Sequence, residues 1–140
     1  MKSAVKYIAL ALPLLLLTAC SSTPSASDAE SVLRHKISKQ SEGLIELVKF
    51  TKKNSQDAEV MGVKLHSIEF EAEIRFLEKC YWGSPLEQSF EVQRGEPGPF
   101  NMWMYMGKRK AEKGQRETIT GTLRFEKTEK GWRGEDGEIY

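Results

Sequence analysis

The sequence predicts an α+β domain in which one N-terminal helix packs on a curved antiparallel sheet of about four strands. Three patterns predict it. Ala29, Val32, Leu33 and Ile37 recur at helical spacing and form a narrow apolar stripe. From His66 to Phe76 the even positions are His, Ile, Phe, Ala, Ile and Phe, whereas the odd ones are Ser, three Glu and Arg. That period of two belongs to a strand with one buried face and one wet face. Ile119, Gly121, Leu123 and Phe125 alternate with Thr118, Thr120, Thr122 and Arg124 in the same way.

The chain opens with Lys2 and Lys6, followed by an apolar run from Ile8 to Leu17 interrupted by Pro13. A membrane-crossing helix needs about 20 apolar residues, so this shorter run fits the central region of an export signal. Leu17-Thr18-Ala19-Cys20 then resembles the lipobox of bacterial lipoproteins. The resemblance implies a diacylglycerol on the Cys20 thiol, cleavage before Cys20, and palmitate-like acylation of the new amine. Several acyl chains on one residue form a stable anchor where one chain is marginal. Ser21 stands where an Asp tends to retain such proteins in the inner membrane, so the resemblance implies the cell outer membrane, facing the periplasm. The expected division is a signal peptide over 1–19, an acylated Cys20 with a flexible tether over 20–27, and a single domain over 28–140.

Ser27 and Glu30 have the spacing of a capping box at the helix start, and Gly43 suits its end. Leu44 to Thr51 reads as the first strand, and Lys52 to Asp57 as the polar turn after it. Val60, Met61, Val63 and Leu65 extend the second strand backward, with Gly62 marking a bulge. Leu77 to Lys113 reads as irregular because Gly83, Pro85, Gly95, Pro97, Gly98 and Pro99 interrupt it. A third strand covers about 115–127. Thr128-Glu129-Lys130-Gly131 is a hairpin turn, and Trp132 begins the last strand. Helix first, then strands, with Lys130-Gly131-Trp132-Arg133 near the end, resembles the small cystatin-like or NTF2-like domains of bacterial lipoproteins. The shorter helical part favours the cystatin-like arrangement.

The whole chain has 21 Lys and Arg against 20 Asp and Glu. Such balance gives no basic face for nucleic acid. With Cys20 acylated, Cys80 has no partner within the chain, so it is either a buried thiol or one half of an intermolecular disulfide.

The most unusual composition is Met102-Trp103-Met104-Tyr105-Met106. On a strand its three thioethers would share a face, and soft sulfur suits Cu(I). With only His35, His66 and Cys80 to complete a site, no metal and no cofactor are expected. Trp103, Met104, Tyr105 and Met106 are instead the candidate contact with a protein partner, because these residue types concentrate at interface cores. Lys108, Arg109, Lys110, Lys113 and Arg116 form a basic cluster that could meet anionic lipid, although Glu112 and Glu117 lie within it. His66 faces inward by parity and is the one candidate acid or base. No nucleophile elbow or phosphate loop accompanies it, so catalysis is not expected. The expected function is a lipid-anchored, non-enzymatic protein-binding module, held to the membrane through Cys20. The alternative is a small-molecule or lipid carrier with Phe70, Ile74, Leu123 and Phe125 lining a pocket between sheet and helix.

Overall fold

The structure, a computed structural model, describes residues 22–83 and 88–140. The expected export signal over 1–19 and Cys20 lie outside the described residues. Helix α1 spans Ala26–Gln40. Its capping box is Ser25 and Asp28, not Ser27 and Glu30. The Ser25 hydroxyl accepts the Asp28 N–H at 3.1 Å, and the Asp28 carboxylate accepts the Ser25 N–H at 2.7 Å. Both pairs have the right spacing, but Pro24 disfavours a helical Thr23 and so lets the helix begin just after Ser25. Glu30 is left to pair with Arg34 at 2.7 Å. The expected tether is therefore shorter than 20–27. Residues 26 and 27 are helical, Pro24 is buried, and the Trp132 indole N–H donates to the Ser22 carbonyl at 3.0 Å. The apolar stripe behaves as expected: Ala29, Val32, Leu33 and Ile37 are all buried.

The strands in chain order are β1 (Ile45–Val60), β2 (Val63–Phe76), β3 (Cys80–Trp82), β4 (Val92–Gln93), β5 (Arg109–Ala111), β6 (Arg116–Thr128) and β7 (Gly131–Arg133). They form a four-stranded sheet ordered β1-β2-β6-β7 and a three-stranded sheet ordered β4-β3-β5. Every pairing is antiparallel. The domain is thus one helix on a mainly four-stranded sheet, with a small second sheet inserted between β2 and β6.

Lys52 to Asp57 is not a turn. It continues β1, and the chain reverses at Met61-Gly62, where Val60 pairs with Val63. Both turn residues have positive φ, 51° and 81°, as a two-residue type I′ hairpin requires. The polar run belongs to an edge strand, where lysines discourage pairing with another chain. The bulges fall at Val48 and Lys53, where the register shifts, rather than at Gly62.

The even positions of β2 from His66 to Phe76 are buried with Leu123 and Phe125 of β6 and the helix stripe. The other face carries ion pairs: Arg116 with Glu73 at 2.9 Å, Lys53 with Glu71 at 3.5 Å, and Arg75 with Glu46. After β7 the chain returns to pair Tyr140 with Trp132 through both backbone bonds, at 2.8 and 3.0 Å. Gly131 sits beneath this return, where a Cβ would lie 2.8 Å from the Tyr140 carbonyl oxygen.

The second sheet corrects the irregular reading of 77–113. Its strands have two or three residues, too few for a period to register. It shares the core through Phe76 and Trp82, whose ring centroids are 5.1 Å apart. Cys80 on β3 is 1% exposed, and burial, aided by Glu78, pushes its thiol up. Attack requires an accessible thiolate, so Ellman's reagent is expected to leave the Cys80 thiol unmodified in the native protein and to react with it once denaturant unfolds the chain. Rapid native modification would restore the intermolecular disulfide as a reading of Cys80.

Candidate functional site

The Met102–Tyr105 segment is a single 3-10 turn, not a strand. Its methionines therefore do not line up on one face. Tyr105 alone points inward. It is buried, its hydroxyl donates to the Arg94 carbonyl at 2.9 Å, and its ring meets Tyr81 edge-on at 4.9 Å. Glu96 secures the approach to the turn by accepting from Lys79 and, at 2.8 Å, from Tyr81. The hydrogen bond from Lys79 first, and that from Tyr81 second, hold the Glu96 carboxyl below its usual range. With the loop pinned at Tyr105 and Glu96, its large apolar neighbours face water. Phe100 is 94% exposed, Met106 77%, Trp103 72% and Met102 60%.

Trp103 and Met104 form one wall of an open groove of about 980 Å³. The facing wall is the outer side of α1, with His35, Lys36 and Lys39, and its end is closed by Glu135 and Asp136. The wall is braced. Gln40 accepts the Phe90 N–H at 2.9 Å, and Lys36 pairs with Glu135 at 2.6 Å. Glu135 also accepts the Arg124 N–H at 2.9 Å, which ties helix, β6 and the C-terminal turn together. Of the four sequence candidates, Trp103 and Met104 therefore line the groove, Met106 is exposed, and Tyr105 is a support. The charged wall was missed. Its members lie far apart in sequence, on the solvent face of a helix and in a turn near the chain's end, and no local pattern joins them.

Asp136 is the most constrained group at this site. Burial opposes its ionisation, but hydrogen bonds from Tyr140 at 2.6 Å, from His35 at 2.7 Å and from the Glu138 N–H outweigh burial and hold its carboxyl below the usual range. Burial, and then the bond to Asp136, drives the Tyr140 hydroxyl well up. Because the folded Asp136 titrates below the unfolded one, its contribution is complete above the ordinary carboxylate range. It is lost as pH falls through the folded value. Asp136→Asn is expected to cost about 2 kcal/mol at neutral pH, since charge-assisted bonds are lost. Thermal melts should show the gap between the two proteins closing as the solution is acidified.

The other candidates are placed differently. His66 Nδ1 lies 2.6 Å from the Asp57 carboxylate, its direct cross-strand neighbour. The Nε2 atom is buried without a hydrogen-bond partner among the described residues, beside the edge of Trp132. An imidazole nitrogen sealed in this way cannot reach a substrate proton without the fold opening. The basic cluster is largely neutralised. Arg109 pairs with Glu117 at 3.5 Å and Lys110 with Glu112 at 3.4 Å, and Arg109 also stacks over Trp82 at 4.4 Å. Phe70, Ile74, Leu123 and Phe125 are almost wholly buried and pack together in the core, and Phe125 also borders an open recess of about 240 Å³ on the side of Arg124 and Glu135. Among the described residues, no three His, Cys, Asp or Glu are grouped to hold a metal ion, and no helix is long and apolar enough to cross a membrane.

The sequence matches no family model, and comparison with curated proteins and with solved structures found no significant match.

Proposed function

We propose that this protein is a lipid-anchored envelope domain that binds a protein partner through the Phe100–Met106 loop and the groove beside it, without catalysing a reaction. One observation carries the reading. A seven-residue loop holds four large apolar side chains in water, with Met104 half-buried and Tyr105 buried to fix it. Leaving such side chains exposed forgoes the stabilisation of burial, and contiguous exposed apolar surface commonly marks an interaction site. Fixing the loop in advance lowers the ordering cost of association. The neighbouring charges on α1 and at Glu135 supply a polar rim, as interfaces of this kind have. The proposal includes acylation of Cys20, on the lipobox pattern, and residence at the outer membrane, on the identity of Ser21. The resemblance to cystatin-like or NTF2-like lipoprotein domains belongs to the same proposal, on the order of helix and strands.

A photo-crosslinking amino acid at position 103, introduced in intact cells, tests it. The expected result is an adduct of one discrete protein mass. An equivalent crosslinker at an exposed position on the far face of the sheet, such as Thr120, should not give it. Crosslinking at 103 to lipid alone, or to nothing, would remove the partner-binding reading.

A further inference from the structure

We infer that the Val60–Val63 hairpin tip is the membrane-contacting end of the domain, with its apolar side chains seated in the lipid surface that holds Cys20. This inference rests on the anchoring reading above and adds to it an orientation and a second lipid contact.

Three observations converge. The first is where the chain leaves the domain. Ser22 is fixed by the Trp132 indole, and Thr23 lines a recess with Asp57, Ala58, Lys64 and Leu65. These residues are the hairpin arms just behind the tip, because Asp57 pairs with His66 and Val60 with Val63. From Ser22 back to Cys20 there are only two residues, a reach of at most about 7 Å. Acyl chains on Cys20 would therefore enter the bilayer beside the hairpin, with no tether long enough to turn the domain away.

The second observation is the tip itself. Met61 is 98% exposed, and Val60 and Val63 are exposed on either side of it. Met61 also has φ of 51°, in the left-handed region. A type I′ hairpin favours Asn, Asp or Gly at this position, and a bulky side chain there runs against local preference. An apolar residue that breaks the turn rule and buries nothing within the fold calls for a contact outside it. The flanking charges, Glu59 and Glu129 against Lys64 and Lys130, balance by sign. The contact is therefore apolar rather than a response to anionic headgroups.

The third observation is polarity along the sheet. Leu65 pairs with Glu126, so the β1–β2 and β6–β7 turns share one end. Arg75 pairs with Arg116 near the other end, where Phe76 meets the small sheet that carries the Phe100–Met106 loop. With one end on the lipid, the loop faces away from the membrane, open to a partner.

The test uses the full acylated chain in vesicles of phosphatidylethanolamine and phosphatidylglycerol. An environment-sensitive dye goes on Val63→Cys, with Met102→Cys as the opposite-end control. Acylation occupies Cys20 and burial protects Cys80, so the label goes to the introduced thiol. The Val63 label should blue-shift and lose emission to nitroxides on the upper acyl chains, unchanged by added salt, while the Met102 label does neither. Met61→Asn should raise the melting temperature by relieving the turn, yet reduce that quenching. If the Val63 label on acylated, vesicle-bound protein stays as open to aqueous iodide as the Met102 label, the orientation is wrong and the anchor stands. If the mass spectrum shows no acyl groups on Cys20, the anchoring reading itself fails and takes this inference with it.

Discussion

Phe76→Ala is expected to cost about 3–5 kcal/mol, the range for deleting a buried aromatic ring, and to lower the melting temperature by on the order of 15 °C. Phe76 is fully buried at the last residue of β2. Its ring meets Trp82 of the small sheet, and its backbone pairs with Gln115 at 2.9 Å and Gly114 at 2.7 Å. The side chain therefore joins the two sheets, and a cavity there cannot close by moving one surface alone. A domain of this size is stable by about 5–15 kcal/mol in all, so the variant sits near the threshold of folding. Phe76→Leu keeps most of the volume and should cost less than half as much. Cys80 provides a local readout. It is buried four residues along the chain in the small sheet, and in Phe76→Ala its thiol should become reactive at lower denaturant than global unfolding. Coincident transitions would mean that the small sheet does not open on its own.

What the sequence made legible follows from where the physics is local. The alternation of His66 to Phe76 and the stripe from Ala29 to Ile37 are repeated patterns, each long enough to outweigh chance, and the structure buries both as expected. Lys52 to Asp57 was misread because an edge strand at its free end protects itself with the same polar residues that fill turns. The true reversal at Met61-Gly62 was hidden because Met is a poor residue for left-handed backbone. Two overlapping Ser-x-x-acid spacings allowed the cap to be set two residues late, since what decides between them is the burial of Pro24 and the docking of Ser22. Strands of two or three residues carry no period, and their place is set by tertiary packing, Trp82 on Phe76 with Cys80 and Ala111 in the shared core.

The loop proposed as the contact was conspicuous in composition, but its conformation was not legible. Met102 to Met106 stood out as an aromatic and thioether run, but alternation suggested a strand where the chain makes a 3-10 turn. The turn divides the run into roles that composition cannot assign. Tyr105 goes inward, while Trp103 and Met106 go out. The groove's other wall, from His35 to Lys39 with Glu135 and Asp136, depends on tertiary approach and left no trace in any short window.

Trp103→Ala is accordingly expected to weaken partner binding by about 2 kcal/mol or more, roughly 30-fold in Kd, while changing stability by less than about 0.5 kcal/mol. The separation follows from exposure. The ring is 72% exposed and contributes little to the fold, so nearly all its buried area can be gained from the partner. Its immediate neighbour tests the opposite logic. Tyr105→Phe removes only the hydroxyl bond to Arg94, so it should cost about 1 kcal/mol and leave binding nearly intact. Tyr105→Ala also removes the ring packed on Tyr81, freeing the loop, and should weaken binding through disorder rather than through a lost contact. Titration of the captured partner against the four proteins separates these cases. A Trp103→Ala protein that binds as the native one does, with Tyr105→Ala defective, would move the contact from the loop's outer side chains to the groove wall that the loop supports.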